Sequence, residues 1–488
     1  MAEALLIDAN DDVATLLEDA AAGEQAAGVT LIDPVGRGHK LALRSIAAGQ
    51  AVRKYGYPIG RATRAIAAGE HVHQHNVATA LGGAGEYRYR PAAPAPARPA
   101  LPATFEGYVR GDGRVGTRNE IWVLPTVGCV ARTAERIAAR AAAMLGDRVD
   151  GVHAFSHPHG CSQLGHDLAG TRAILASLAC HPNAAGVLIV GLGCEENQVA
   201  ALVGEIPEWR RPAIRVLAAQ ASDDEVAEGV EKVIALAALA DVKRTSVPLD
   251  RLVLGVKCGG SDGLSGLTAN PLVGRMSDRV VEAGGRVLLT EIPEVFGAEQ
   301  MLMDRAVDDT VFGAVVDMVN GFKRYFLDHG EPVSENPSPG NVAGGITTLE
   351  EKSLGAVQKA GRAPLSDVIG YGDRVRRDGL TLLEAPGNDA VSCTALVAAG
   401  ATAILFTTGR GTPLGFPVPT VKIATNHALA QRKPQWIDFD AGTVLDDGFD
   451  AAEAALIDRV VAIASGEETA AERNEEREIA IWKRGVTL

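Results

Sequence analysis

The sequence predicts an α/β protein with a small β-rich N-terminal domain, a Pro/Ala linker, and then two α/β domains with mainly parallel sheets. Three observations support this prediction. The chain has 488 residues, more than one hydrophobic core usually organises; a Pro/Ala run divides it; and apolar strands alternate with Ala-rich helices after that run. The predicted boundaries are 1–90 for the N-terminal domain, 91–103 for the linker, and 104–246 and 247–488 for the α/β domains.

The N-terminal domain contains short apolar runs such as VTLID and AVRKYGYPIG, which AAGE and AAGQ turns separate. Short runs between turns favour a small β-rich domain.

The linker reads PAAPAPARPALP from Pro91 to Pro102. Because such a run forms neither a helix nor a central strand, it is typical of a semi-rigid connection between domains.

After the linker, the sequence alternates between apolar strands, Gly-rich turns and helices. The predicted strands are 121–127, 187–192, 252–256, 287–290, 382–385 and 403–407. VLIVGLGCEEN and LVLGVKCGGSDG share one design, an apolar strand that runs into a Gly-rich turn with a cysteine, and this similarity favours two related domains. In parallel sheets ligands bind at the carboxyl ends of strands, so the turns should contain the functional residues.

Composition and charge exclude several classes of partner. The net charge of −14 and the 4% aromatic content disfavour nucleic acid, which needs positive charge and stacking surfaces. No run of 18 apolar residues predicts a membrane span, and the acidic N-terminus differs from a secretory signal. We therefore expect a cytoplasmic protein whose six cysteines are thiols.

Two segments are rich in side chains that bind metals. In HVHQHN, alternate positions place His71, His73 and His75 on one face of an extended segment, as a metal or anion site requires. In SHPHGCSQLGHD, His159 and Cys161 lie close together, although the spacing matches no zinc-finger pattern. The alternatives are an exposed polar edge for the first segment and a helix-capping turn for the second.

Polar turns after the predicted strands of the second α/β domain favour an anionic, hydroxyl-rich ligand. GVKCGGSDGLSGLTANP combines glycines with Lys257 and with hydrogen-bonding side chains, but it lacks the phosphate-loop pattern. Glu291 is a candidate acid, base or metal ligand. Arg410, in a Gly-rich turn, is a candidate clamp for a carboxylate. The other candidates for ligand binding are Ser261, Asp262, Asn270, Asn388 and Asp389.

At these residues the sequence resembles the altronate/galactarate dehydratase family. The resembling segments are GDGRVGTRNEIWVLPTVGC, HPHGCSQLGHD, GLGCEENQ, KCGGSDGLSGLTANPLVGR, NPSPGNVAGGITTLEEKSLG and FTTGRGTPLGFPVPTVKIATN. The N-terminal domain is similar to the SAF-type domain of this family, and its fusion to the rest favours the altronate-dehydrating members. The resemblance implies a hydro-lyase that converts a sugar acid to a 2-keto-3-deoxy acid and requires iron, with manganese as a possible replacement.

The form of the iron and the role of each residue stay open at this level. Gly-rich strand ends suit thiolate ligation of a single ion or of an iron–sulfur cluster by Cys129, Cys161, Cys194 and Cys258. The alternative ligands are His73 and His75, together with His39. His39, Lys40 and His159 are candidate bases, and Glu291 is a further catalytic candidate. Arg118, Lys257, Asp262, Asn388 and Arg410 would hold the substrate carboxylate and hydroxyls.

Other functions compete with this interpretation. Galactarate dehydratases and sulfolactate-type lyases belong to the same enzyme class, and a non-catalytic sugar-acid-binding protein belongs to a different one. A nicotinamide-dependent oxidoreductase is disfavoured because GLGCEEN lacks the third glycine of the dinucleotide-binding pattern. We expect a homodimer that acts on a small-molecule sugar acid, with neither a nucleic-acid nor a membrane partner.

Overall fold

A computed structural model describes residues 2–93, 98, 101 and 103–488. Most of the predicted linker, residues 94–97, 99, 100 and 102, lies outside these described residues. The preceding segment runs along the second α/β domain, where the Tyr89 hydroxyl donates to the Ala306 carbonyl at 2.6 Å and the Ala92 amide donates to the Asp304 carbonyl at 2.7 Å. Among the described helices, none has both the length and the apolar character needed to cross a membrane.

The N-terminal domain consists of short antiparallel strands, as predicted. They are β1 (Ala4–Leu5), β2 (Val13–Leu16), β3 (Gln25–Ala26), β4 (Val29–Thr30), β5 (Lys40–Ala42), β6 (Ala51–Lys54), β7 (Tyr57–Ala62), β8 (His71–Val72) and β9 (Val77–Ala78). β1, β2, β5 and β8 form one sheet, and β6, β7 and β9 form another. Apolar side chains, including Leu16, Leu31 and Leu41, form part of the core of this domain.

The first α/β domain contains a parallel sheet in the order β13-β12-β14-β15. The strands of this domain are β10 (Thr104–Val109), β11 (Val115–Gly116), β12 (Glu120–Pro125), β13 (Gly151–Ala154), β14 (Ala184–Gly191) and β15 (Ile214–Ala218). The helices of this domain are α1 (Ala131–Leu145), α2 (Gly165–Ala179), α3 (Val199–Glu205) and α4 (Glu225–Ala237). β12 and β14 are buried along their whole length, which explains why they read as continuous apolar runs.

The second α/β domain contains a larger parallel sheet. Its strands are β17 (Val253–Cys258), β18 (Arg286–Leu289), β19 (Leu365–Ile369), β20 (Gly379–Leu383), β21 (Ala403–Thr408), β22 (Thr420–Ala424) and β23 (Phe439–Asp440). Among the described residues, the strand order is β19-β20-β18-β17-β21-β22-β23. The helices are α5 (Ala269–Glu282), α6 (Glu299–Met303), α7 (Asp309–Asp328), α8 (Pro339–Ala343), α9 (Leu349–Ala356), α10 (Asp389–Ala399), α11 (His427–Arg432), α12 (Thr443–Ala464) and α13 (Ala470–Arg473).

The two α/β domains share one hydrophobic cluster, in which Trp122 and Leu124 of β12 lie with Ile404 and Phe406 of β21. A further strand, β16 (Thr245–Pro248), pairs with β10 at the start of the first domain. The predicted division at 246/247 lies inside β16. The α/β architecture of the prediction is confirmed, with both large sheets parallel throughout their described pairings.

Candidate active site

Buried lysines and carboxylates meet at the carboxyl edge of the large sheet of the second α/β domain. Lys257 and Cys258 end β17, and Glu291 follows β18. The Lys257 ammonium forms ion pairs with Glu291 and, at 3.0 Å from Nζ to Oδ1, with Asp389 at the start of α10. Because the carboxyl ends of parallel strands lie at the same edge, residues that are distant in sequence meet here.

Two further lysines complete this group. Lys359 Nζ lies 2.7 Å from Cys258 Sγ and donates to Glu291 Oε2 at 3.1 Å. Lys352 Nζ donates to Glu294 Oε1 at 2.8 Å. We call the whole group the lysine–carboxylate cluster, and its members are Lys257, Cys258, Glu291, Glu294, Lys352, Lys359 and Asp389.

The lysine–carboxylate cluster contains donors that suit a transition metal. Ligand atoms of Cys258, Glu291 and Glu294 all lie within 4.8 Å of one another. Burial raises the pKa of the Cys258 thiol to about 11, and the neighbouring Glu291 carboxylate contributes to this increase. At neutral pH Cys258 is therefore a thiol, which would have to lose its proton in order to bind a metal ion.

The charges of the cluster are balanced. Burial would raise the pKa of the Glu294 carboxyl, but Lys352, Lys257 and Lys359 together hold it at about 2. Burial likewise disfavours the Lys257 ammonium, while Asp389 and Glu291 raise its pKa well above the ordinary value. Three ammonium groups thus face three carboxylates, so a divalent ion would need two further negative charges.

Histidines of the N-terminal domain form a second group, the histidine cluster, whose members are His39, His71, His73 and His75. His39 Nδ1 lies 3.1 Å from His71 Nε2, and the His39 and His73 ring centroids are 5.0 Å apart. The rings of His71 and His75 are 5.3 Å apart. The alternation in the sequence therefore does bring these imidazoles together, and His39 joins them from the preceding loop.

The inner members of the histidine cluster are neutral at physiological pH. Burial, followed by the neighbouring imidazoles, lowers the pKa of His71 to about 3. Burial and then the Lys40 ammonium lower the pKa of His73 to about 4, and the pKa of His39 is lowered for the same two reasons. Neutral imidazoles can accept a proton or bind a metal.

A buried ionic triad connects the N-terminal domain to the second α/β domain. Glu351 of α9 lies between Lys40 and Lys54, with Nζ to carboxylate oxygen distances of 2.9 Å to each. Lys40 Nζ also donates to the Gly345 carbonyl at 2.6 Å. Burial, only partly opposed by Glu351, lowers the pKa of Lys40 to about 8. The two domains are thus held together by charges that have no access to water.

Glycines allow close backbone contact between the same two domains. A Cβ added at Gly38 of the N-terminal domain would lie 3.3 Å from the Gly344 carbonyl oxygen of the second α/β domain. A Cβ added at Gly263, or at Gly345 with its φ of +100°, would overlap the carbonyl oxygen of Gly38. The loop before His39 is therefore pressed against the turn that contains Ser261 and Asp262.

That turn presents polar groups close to the histidine cluster. Asp262 Oδ2 accepts hydrogen bonds from Thr425 Oγ1 at 3.0 Å and from Asn426 Nδ2 at 3.3 Å. The exposed Arg410 donates to the Gly340 carbonyl at 3.1 Å. A small cavity runs from this turn towards the lysine–carboxylate cluster, and its lining includes Lys54, Ser261, Asp262, Asn270, Glu351 and Lys352.

Two predicted ligand-binding residues have structural partners. Asn270 accepts a hydrogen bond from Thr407 at 2.6 Å and donates to the Gly355 carbonyl at 3.0 Å. Asn388 caps α10 by accepting from the Val391 amide at 3.1 Å. Both side chains therefore stabilise the backbone that surrounds the clusters.

The other predicted residues lie apart from these clusters. Arg118 is buried against Glu472, with 2.8 Å from Nε to Oε1, and it donates to the carbonyls of Thr117, Ile463 and Glu467. All five N–H donors of its guanidinium are thus used within the protein. His159 and three of the predicted cysteine ligands lie at the edge of the sheet in the first α/β domain, and these ligands are Cys129, Cys161 and Cys194.

Sequence reasoning missed the roles of Lys54, Glu351, Lys352 and Lys359. The segment TTLEEKSLG contains two of these residues, Glu351 and Lys352. A run of charged residues on a helix normally predicts a solvated face, yet Glu350, Glu351 and Lys352 are all buried. A charged run next to Gly-rich segments was the signal that could have revealed them.

Comparison with known proteins agrees with this architecture. Family models match the altronate/galactarate dehydratase SAF domain over residues 2–80, the D-galactarate dehydratase/altronate hydrolase second domain over 107–241, and the D-galactarate/altronate dehydratase C-terminal domain over 249–487. The chain is 50% identical to altronate dehydratase of Escherichia coli K12, with 99% of each chain covered. It is 47% identical to altronate dehydratase of Bacillus subtilis 168, with 98% of each covered.

The galactarate dehydratase (L-threo-forming) of Escherichia coli K12 is more distant, at 34% identity over 86% of this chain and 83% of that protein. The fold and these similarities define the protein as an enzyme of the hydro-lyase class. The chain belongs to the D-galactarate/altronate dehydratase family, as the sequence motifs predicted.

Proposed function

We propose that this protein dehydrates altronate, or a closely related aldonic acid, to a 2-keto-3-deoxy acid. The observation that supports this most strongly is its similarity to two altronate dehydratases over nearly the whole length of each chain. In this proposal the site is formed by the lysine–carboxylate cluster of the second α/β domain and the histidine cluster of the N-terminal domain. In the reaction the C2 hydrogen leaves as a proton and the C3 hydroxyl leaves as water, and the resulting enol becomes the 2-keto acid.

The difficult step is removal of the C2 proton, because the adjacent carboxylate is already negative. Buried positive charge close to that carboxylate would stabilise the additional charge that develops. Lys257 and Lys359 are fully buried ammonium groups at the edge of the sheet. They would bind the substrate carboxylate and orient C2.

We propose Cys258, Glu291 and Glu294 as ligands for a divalent metal, with Fe²⁺ first and Mn²⁺ as the alternative. A thiolate with two carboxylates suits a first-row transition ion. The charge balance also fits, because the Cys258 thiolate and the substrate carboxylate supply the two negative charges that a divalent ion requires. Such an ion acts as a Lewis acid and contributes several kcal/mol to stabilisation of developing negative charge.

We assign the general base to His39. Its imidazole is half-buried and its pKa is lowered, chiefly by burial, so it is neutral and able to accept a proton. Lys40 is fully buried, and its ammonium is bound to Glu351 and the Gly345 carbonyl. Lys40 would therefore position the loop and keep His39 neutral. Ser261, Asp262 and Arg410 would bind the hydroxyls and the distal end of the substrate.

The test is an anaerobic screen of aldonic and aldaric acids with ferrous iron, in which 2-keto acid formation is measured. Altronate should be the best substrate, and His39→Gln should lower kcat by about 10²–10⁴-fold, the usual contribution of a general base. His329→Gln is the matched control, since His329 is exposed and its Nδ1 contacts the Tyr325 carbonyl of the preceding helix.

Preference for galactarate or for a sulfonated acid would revise the substrate while keeping the enzyme class. A chain that binds sugar acids but forms no keto acid with any of them would contradict the proposed function.

A further inference from the structure

A cavity of about 390 Å³ lies at the amino edge of the large sheet of the second α/β domain. Residues at the starts of three strands line it: Val253 begins β17, Arg286 begins β18, and Asp378 precedes β20. The first α/β domain contributes Asp112, in the turn between β10 and β11, and His181, which follows α2. The volume is typical of small-molecule sites, which measure about 300–1,000 Å³.

This cavity is separate from the proposed catalytic site, because a parallel sheet has its strand starts and its strand ends at opposite edges. β17 runs from Val253 at the cavity to Lys257 in the lysine–carboxylate cluster. At about 3.3 Å per residue, these four steps of extended strand span about 13 Å. A small molecule in the cavity would therefore occupy a different part of the protein from the substrate.

One arginine of the lining has no partner. Arg286 Nε donates to Asp378 Oδ1 at 2.8 Å, and Arg114 Nε donates to Asp112 Oδ2 at 2.7 Å. Arg374 also lines the cavity and is half-buried, but it forms neither a hydrogen bond nor an ion pair with any residue that the structure describes. The N–H donors of its guanidinium are therefore available to a ligand.

Asp250 supplies a complementary feature, an acceptor without a donor. Its Oδ1 is buried and accepts no hydrogen bond within the described part of the chain. The Nε of its ion-pair partner, Arg251, lies 3.5 Å from this oxygen. Buried polar atoms are normally hydrogen-bonded, so an orphan of this kind in a cavity lining indicates a donor that comes from a ligand.

The charge around the cavity favours an anion. The three other arginines of the lining are matched in number by three aspartates, so Arg374 leaves the lining with a net charge of +1. His181 adds no charge, because burial lowers its pKa to about 3 and nearby arginines contribute to this decrease. Two of those arginines, Arg110 and Arg210, donate only to uncharged acceptors, and they add to the positive potential.

We propose that this cavity binds a small monocarboxylate that carries hydroxyl groups, with its carboxylate on Arg374 and a hydroxyl on Asp250. A guanidinium binds a carboxylate through two parallel N–H···O bonds, which gives the contact both strength and orientation. A hydroxyl supplies the donor that Asp250 Oδ1 lacks. An amino group in its place would make the ligand a zwitterion and leave the positive charge of the cavity unbalanced.

A phosphate ester fits the cavity less well than a carboxylate. It carries nearly two negative charges at neutral pH, whereas the lining offers a single cation without a partner. The number of charges thus selects a carboxylate, and the orphaned oxygen of Asp250 selects a hydroxylated chain.

The experiment is amide hydrogen exchange of the full chain at increasing concentrations of gluconate, a monocarboxylate with a hydroxylated chain. We expect slower exchange in segment 112–115, and the concentration at half-protection gives the affinity of this cavity alone. Arg374→Gln should weaken the binding about 10- to 100-fold, the usual effect of losing a hydrogen-bonded charged partner. Arg376→Gln is the matched control and should keep the wild-type affinity, because this exposed arginine lies outside the lining.

The comparison ligands test each part of the assignment. Sorbitol, which lacks the carboxylate, and free alanine, which is a zwitterion, should give no protection at the concentrations where gluconate does. Equal protection by either of them, or tighter binding of glycerol phosphate than of gluconate, would overturn the assignment. So would wild-type affinity in Arg374→Gln, or protection confined to the loops around Lys257 and Glu291. The measurement needs no turnover, so its result is independent of the proposed function.

Discussion

Glu351 offers the sharpest test of how the N-terminal domain is held. Its carboxylate lies between two ammonium groups that are as inaccessible as itself, with side-chain exposures of 0% for Lys40, 1% for Lys54 and 2% for Glu351. Glu351→Gln keeps the size and shape of the side chain but removes the negative charge. The two buried ammonium groups would then repel each other without compensation, so the contact between the domains should weaken.

The magnitude follows from the pKa of Glu351. Burial alone would raise this pKa above its ordinary 4.5, but Lys40 and Lys54 lower it to about 2. Since one pKa unit corresponds to about 1.36 kcal/mol, the folded environment favours the charged form by about 3 kcal/mol. This agrees with the loss of about 3–5 kcal/mol that is typical when one partner of a buried ion pair is removed.

The assay is amide hydrogen exchange in the segment 36–40, which reports local opening of the domain contact. A loss of about 3 kcal/mol corresponds to roughly hundredfold faster exchange. The double variant Lys54→Met with Glu351→Gln restores the net charge of the triad and should recover part of the protection. Glu228→Gln, which removes an exposed pair with Lys232, is the control and should leave the exchange unchanged.

The reasoning fails if the amides of segment 36–40 exchange at the wild-type rate in the Glu351→Gln variant, which lacks the negative charge. It also fails if the double variant exchanges faster than the single variant. Either result would mean that backbone contacts, such as that between Gly38 and Gly263, hold the domains without help from the ionic triad.

Three further predictions concern pH, the N-terminal domain and metal. Because the folded pKa of Glu351 is depressed, its stabilisation is complete above pH 4.5 and is lost as the pH falls towards 2; small-angle scattering should show the N-terminal domain separating over that range. A chain that begins at Thr104 should fold, as circular dichroism can verify, but lose nearly all turnover because His39 is absent; wild-type turnover would reduce the N-terminal domain to a stabilising role. Chelation should abolish keto-acid formation, and ferrous iron should restore it better than magnesium; full activity of metal-free protein would contradict the metal assignment.

Much of the fold could be predicted because the relevant signals are local. The strand predicted at 403–407 is β21 (Ala403–Thr408), and the strand predicted at 187–192 overlaps β14 (Ala184–Gly191). Strands buried on both faces are continuous apolar runs, and such runs are readable without knowledge of their neighbours. The residues at the predicted boundary 246/247 form β16, which pairs with a strand far away in sequence.

The candidate site was only partly predictable. The histidine alternation and the Gly-rich turn at Lys257 were readable because each is a short motif. Arg118 was expected to bind substrate, but its guanidinium is bound to Glu472 near the other end of the chain. An arginine in a polar segment has the same local pattern in both roles, and only its partner separates them.

The sequence by itself determined the family, the α/β class and the segments that carry the chemistry, because these depend on residues that are adjacent in the chain. Only the tertiary structure decided which of those residues meet. It placed Cys258 with Glu291, Glu294 and Lys359, and it placed Cys129, Cys161 and Cys194 at a different sheet. All four cysteines follow similar Gly-rich strand ends, so no local pattern distinguishes them. Strand order and domain packing are set by the burial of apolar surface over the whole chain, and they determine which strand ends lie together.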